Sequence, residues 1–111
     1  MAEELVHKRK FQRYPADLEV ILYHSGETAM GRIMQISRGG CLLEVPARIT
    51  VQGSEIRLSF QLSGDLPSIN CKGETVYYVV GRGAGVAFTE ISAYFQDLIT
   101  SHFEKQPFRE C

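Results

Sequence analysis

Ile56, Leu58, Phe60 and Leu62 alternate with Arg57, Ser59 and Gln61, and Ala16, Leu18, Val20 and Leu22 alternate in the same way with Asp17, Glu19, Ile21 and Tyr23. A two-residue hydrophobic period belongs to a strand with one face in a core, because successive side chains on a strand point to opposite faces. Turn composition cuts these runs short at His24-Ser25-Gly26-Glu27, Ser37-Arg38-Gly39-Gly40, 63–68 and Gly81-Arg82-Gly83. Six strands are therefore predicted, at 16–23, 28–36, 41–45, 56–62, 69–80 and 85–88. Pro46 ends the third, a loop carrying Val51-Gln52-Gly53-Ser54 follows it, and the fifth bends near Gly73. The period then changes. Ile91, Phe95, Leu98, Ile99 and Phe103 fall at helical spacing, which predicts a helix over about 92–105, with Thr89 or Ser92 as its N-cap and Pro107 beyond its end. The expected fold is all-β with one terminal helix: a six-stranded antiparallel β-barrel, whose closure removes exposed edges, plus a C-terminal α-helix.

A chain of 111 residues supports one compact core. The domain is expected at 9–105, between a flexible tail at 1–8 and a second tail at 106–111. The net charge of −1 conceals an uneven distribution, since Lys8, Arg9, Lys10 and Arg13 stand together without an acid while residues after Arg13 are net acidic. Focused positive charge on an acidic body suits a compact anion and disfavours a nucleic acid polymer. No apolar run approaches the roughly 20 residues that span a bilayer. The acidic N-terminus lacks the apolar core of a signal peptide, so a cytoplasmic protein without membrane insertion is expected. Cys41, Cys71 and Cys111 are odd in number and far apart, which argues against a disulfide framework and assigns Cys41 and Cys71 to the core. His7, His24 and His102 supply no metal-ligand spacing. An enzyme is not expected, because no nucleophile–base–acid set is present and Gly81-Arg82-Gly83-Ala84-Gly85 lacks the lysine and helix start of a phosphate loop.

Two short motifs carry the chemistry. In Arg9-Lys10-Phe11-Gln12-Arg13, two guanidinium groups sit four residues apart on an arm that Pro15 keeps extended at Tyr14. Each presents a planar fork of donors that matches a phosphate or the O6/N7 edge of guanine. In Gln35-Ile36-Ser37-Arg38-Gly39-Gly40, a hydroxyl and the N–H groups of a glycine turn can complete an anion pocket. Together they point to a guanine-nucleotide receptor; separately, each also reads as a solvated basic arm and an ordinary hairpin turn. Lys8, Lys10, Arg38 and Gly39 are secondary candidates. Tyr77, Tyr78, Tyr94 and the phenylalanines are assigned to core packing in preference to stacking on single-stranded bases.

In motif order, motif separation and strand pattern the chain resembles the PilZ domain, a bacterial receptor module for cyclic di-GMP. That family carries RxxxR in an N-terminal arm and (D/N)xSxxG on the barrel surface. Arg9 to Arg13 fits the first; Ser37 and Gly40 fit the second, with Gln35 at the place of its acid or amide. Gly85-Val86-Ala87-Phe88 resembles the family's last strand, and the likeness runs from about Arg9 to Phe103. The resemblance implies a non-enzymatic receptor or adaptor that binds cyclic di-GMP, with no cofactor, through Arg9, Arg13, Gln35, Ser37 and Gly40. It implies an arm that changes on binding and signals in trans to a protein partner. Gln offers guanine one carbonyl oxygen where an Asp carboxylate offers two, so reduced affinity is expected. The substitution also leaves open a nucleotide-blind adaptor of the same fold.

Overall fold

The computed structural model describes residues 11–45, 53–79, 81 and 83–104. Arg9, Lys8, Lys10, Cys111 and both expected tails lie outside the described residues. Six strands, β1 (Tyr14–His24), β2 (Glu27–Ile36), β3 (Gly40–Glu44), β4 (Glu55–Phe60), β5 (Ile69–Val79) and β6 (Gly83–Glu90), precede one helix, α1 (Ala93–Glu104). They close into an antiparallel barrel in the order β1-β2-β3-β6-β5-β4, with β4 returning to β1. This is the expected fold class.

The alternating residues face inward. Val20 and Leu22 on β1, Ile33 and Ile36 on β2, Leu43 on β3, Ile56, Leu58 and Phe60 on β4, and Ile69 on β5 are all buried in one core. Cys41 and Cys71 are buried free thiols within it. The first hairpin turns through Ser25 and Gly26, both at positive φ (50° and 80°), whose twist matches that of the flanking strands.

Several boundaries differ from expectation because long-range contacts set them, and β6 runs from Gly83 to Glu90 where 85–88 was expected, since its ladder with β5 reaches from Val79–Gly83 to Lys72–Glu90. β1 starts at Tyr14, which pairs with Ile36, and the ladder shifts register between Pro15 and Leu18, where proline can be tolerated. β4 ends at Phe60, although Leu62 beyond it is buried. The expected core role of Phe11, Tyr77 and Tyr94 is not met: they are 38%, 43% and 61% exposed. Tyr94 lies on the outer side of α1. Tyr77 follows a bulge in β5, where Thr75 pairs with Val86, Tyr77 pairs with Gly85, and Val76 is the extra residue.

Ser92 caps α1, its Oγ accepting the Phe95 N–H at 3.1 Å. The helix packs at the barrel end that holds Tyr14. Ile99 is fully buried, and Phe103 stacks on Tyr14 with ring centroids 5.3 Å apart and planes 7° apart. The Tyr14 hydroxyl donates to Glu104 at 2.8 Å. No helix among the described residues is long and apolar enough to cross a membrane.

Candidate functional site

A groove of about 600 Å³ runs between the arm, the Ser37–Gly40 turn and the bulged part of β5. That size lies within the usual range for small-molecule pockets. Arg13, Gln35, Ser37, Gly39 and Gly40 all line it, so five of the residues singled out in the sequence meet at one place. Phe11, Cys41, Val76, Tyr77, Gly85 and Val86 also line it, and none of them is expected at the site from the sequence, which assigns Phe11, Cys41 and Tyr77 to the core.

Each predicted residue is held by a local cause. Ser37 shapes its own turn: its N–H donates to the Gly40 carbonyl at 2.9 Å, and its Oγ accepts the Gly39 N–H at 3.1 Å. The Gly39 carbonyl accepts from the Phe88 N–H at 2.9 Å, which ties the turn to β6. Gly40 is required by close approach, since a Cβ there would collide with the carbonyl oxygen of Val86 on the paired strand. Gly39 leaves room for the arm: an added Cβ would stand 2.7 Å from the ring of Phe11. The middle of the arginine motif therefore rests on the glycine turn of the second motif. Gln35 is exposed on β2, just after an irregularity in the β2–β3 register between Ile33 and Gln35.

Arg13 is exposed at the groove, and among the described residues no carboxylate pairs with it. Among the described lining residues none is Asp or Glu and Arg13 carries a positive charge, which suits an anion. Arg38 behaves differently from a free turn residue. Its guanidinium turns away to α1, donating to Asp97 at 2.8 Å and to Thr100 at 3.2 Å, while its carbonyl accepts from the Gln96 side chain at 2.8 Å. It is a brace between turn and helix.

Burial raises the Cys41 thiol far above its ordinary range, and a charge on Cys71 would raise it further. Burial pushes the Cys71 thiol up to about 12. Neither thiol is a nucleophile at neutral pH. A second depression of about 580 Å³, bordered by Tyr23, Arg57, Asn70, Lys72 and Glu90, contains none of the predicted residues. Its Lys72 is paired with Glu90 at 3.3 Å, which lowers its appeal for an anion. Among the described residues no three His, Cys, Asp or Glu side chains come together to hold a metal ion.

Comparison with known proteins gives a consistent frame. The fold is similar to that of the Bacillus subtilis inhibitor of motility MotI/DgrA, with a TM-score of 0.78 and 19% identity over 94% of this chain and 53% of the other. It is similar to Borreliella burgdorferi PlzA, solved in complex with c-di-GMP, with a TM-score of 0.66 and 18% identity over 92% of this chain and 44% of the other. An uncharacterised protein of Aquifex aeolicus is 27% identical over 107 residues, which are 94% of this chain and 52% of the relative. The chain thus spans about half the length of the proteins it matches. The PilZ domain profile matches residues 7–105, nearly all of the barrel, its arm and its helix, and on that match the chain belongs to the PilZ domain family.

Proposed function

We propose that the protein is a cyclic di-GMP receptor domain that holds the nucleotide between its arginine arm and the Ser37–Gly40 turn and signals to a protein partner. The observation that carries this reading is the contact of Phe11 with Gly39, which brings the RxxxR segment onto the glycine turn beside Arg13, a guanidinium with no carboxylate partner among the described residues. Arg9 and Arg13 supply charge-assisted hydrogen bonds to phosphate and to the guanine edge, and each bidentate contact to guanine is worth roughly 1–3 kcal/mol of discrimination. Ser37 and the backbone at Gly40 complete the ledge, with Lys8, Lys10 and Gly39 contributing field and space. Family membership and the c-di-GMP found in PlzA support the choice of ligand. Binding orders the arm into a surface that a partner reads, so amide-exchange protection of residues 8–13 rises on nucleotide addition.

Gln35 at the place of the family's acid or amide favours a second reading, a protein-interaction adaptor that has lost the ligand. Calorimetric titration with cyclic di-GMP separates the two. The receptor reading predicts micromolar binding that Arg13→Ala weakens at least tenfold. A wild-type protein inert at millimolar nucleotide would leave the adaptor.

A further inference from the structure

We propose that the outer face of β1, β4 and β5 is a docking site for a segment of a partner protein that carries an acidic side chain beside a large apolar one. This names a surface for the partner and does not depend on the nucleotide.

The strand ladder builds the site. Tyr23 pairs with Arg57, Arg57 with Lys72 and Lys72 with Glu90, so four strands each put one residue into a single outward row. The next outward row is Met30, Ile21, Ser59 and Asn70. Ile91 and Ser92, which follow Glu90, complete the lining of a depression of about 580 Å³. None of its residues lines the nucleotide groove.

Charge and apolar exposure define the partner. Lys72 is already held by Glu90 at 3.3 Å. Arg57 is exposed, and among the described residues it has neither a carboxylate partner nor a side-chain hydrogen bond. Glu55 and Glu74 stand opposite each other on the outward row beyond it and repel an acid that comes from that side. Ile21, Ser59 and Asn70, on the other side, carry no charge and leave that approach open. There Ile21 and Met30 pair directly, and Met30 and Tyr23 are 57% and 42% exposed, so an apolar step adjoins the cation. A carboxylate matches the guanidinium fork through two hydrogen bonds. Diagonal cross-strand positions lie about 7–8 Å apart, so an acid seated on Arg57 brings an apolar neighbour in its own segment onto Ile21 and Met30. A small acid would reach Arg57 and leave the apolar step bare. A protein segment covers both.

Selection of phage-displayed random dodecapeptides on the whole chain, followed by fluorescence-anisotropy titration of the best synthetic peptide, tests the inference. Selected peptides are expected to carry Asp or Glu close to a large apolar residue. Arg57→Ala should bind the best peptide at least about tenfold more weakly, and Arg57→Lys, which keeps the charge without the fork, should fall between. Met30→Ala should weaken it by about threefold or more. Amide shifts on peptide addition should cluster at 21–23, 57–59 and 70–72. A selection without acidic–apolar binders, equal binding by Arg57→Ala or Met30→Ala, or shifts clustered at 37–40 overturns the docking site. Hydrocinnamate binding as tightly as the peptide overturns the protein partner in favour of a small acid. Should a variant fail to fold, the shift map of the wild type decides. Since the probe is a peptide, a failure of cyclic di-GMP to bind leaves this result standing.

Discussion

Replacing Thr75 with valine should make the protein more stable. Thr75 is fully buried, and its Oγ has no hydrogen-bond partner among the described residues. Its backbone is satisfied, with the N–H donating to the Ser54 carbonyl at 2.9 Å and the carbonyl accepting the Gly53 N–H at 2.7 Å. Only the hydroxyl is orphaned. Leaving a buried donor or acceptor unmade costs roughly 1–3 kcal/mol, and valine puts a methyl group of the same shape in its place. Valine also suits a strand. A gain of about 1–2 kcal/mol follows, and for a domain near this size it raises Tm by about 4–8 °C. Urea unfolding is the cleaner assay, because a true stability gain moves the midpoint without changing the slope. An unchanged or lowered midpoint would show that the hydroxyl has a partner, such as a trapped water, and that the orphan argument fails.

Gln35→Asp should tighten cyclic di-GMP binding by about tenfold in calorimetry, since a carboxylate accepts from two guanine donors where the amide oxygen serves one. Arg38→Ala should lower stability by about 1 kcal/mol, the usual worth of a partly exposed ion pair with its hydrogen bonds, and a double-mutant cycle with Asp97→Ala should show the two effects to be non-additive. Full additivity would mean that Arg38 braces nothing. Cys71 predicts alkaline sensitivity: its folded thiol, pushed up to about 12, holds its proton after the unfolded thiol, near 9.0, has lost it. Its contribution is therefore complete below pH 9 and drains away as pH rises towards 12, at about 1.4 kcal/mol per pH unit. Between pH 8 and pH 10 the wild type should lose about 1.4 kcal/mol more than Cys71→Ala in urea unfolding; equal losses would place the thiol in a wetter site.

The barrel was legible because its causes are local. The period of Val20 and Leu22, the clean alternation through Ile56, Leu58 and Phe60, and the glycine turns each act within a few residues, and together they leave few topologies open. Much of the groove was legible for a different reason, since Arg13, Gln35, Ser37 and Gly40 belong to segments whose chemistry is explicit. Features that depend on partners far along the chain were not. Arg38 meets Asp97 across 59 positions, and nothing beside Arg38 in the sequence announces the helix. The bulge at Val76 is equally silent, because a run such as Thr75-Val76-Tyr77-Tyr78 alternates equally well with Tyr77 in or out. Gly85 holds the missing information, since its absent side chain leaves a seat for the Tyr77 ring.

Both halves of the groove are fastened to the same helix, and this bears on how a chain with an imperfect second motif can still bind. Tyr14, the residue after Arg13, is clamped to α1 by its stack on Phe103 and its bond to Glu104. The turn that follows Ser37 is clamped to α1 through Arg38. With Tyr14 fixed, the arm is ordered from an anchored root, and the roughly 1–2 kcal/mol that fixing the backbone of that one residue costs is already met in the fold. Preorganisation of this kind raises affinity without any new contact to the ligand. It can offset the roughly 1–3 kcal/mol that an imperfect polar contact at Gln35 forfeits, which is why the proposed receptor is expected to bind weakly and not to be blind.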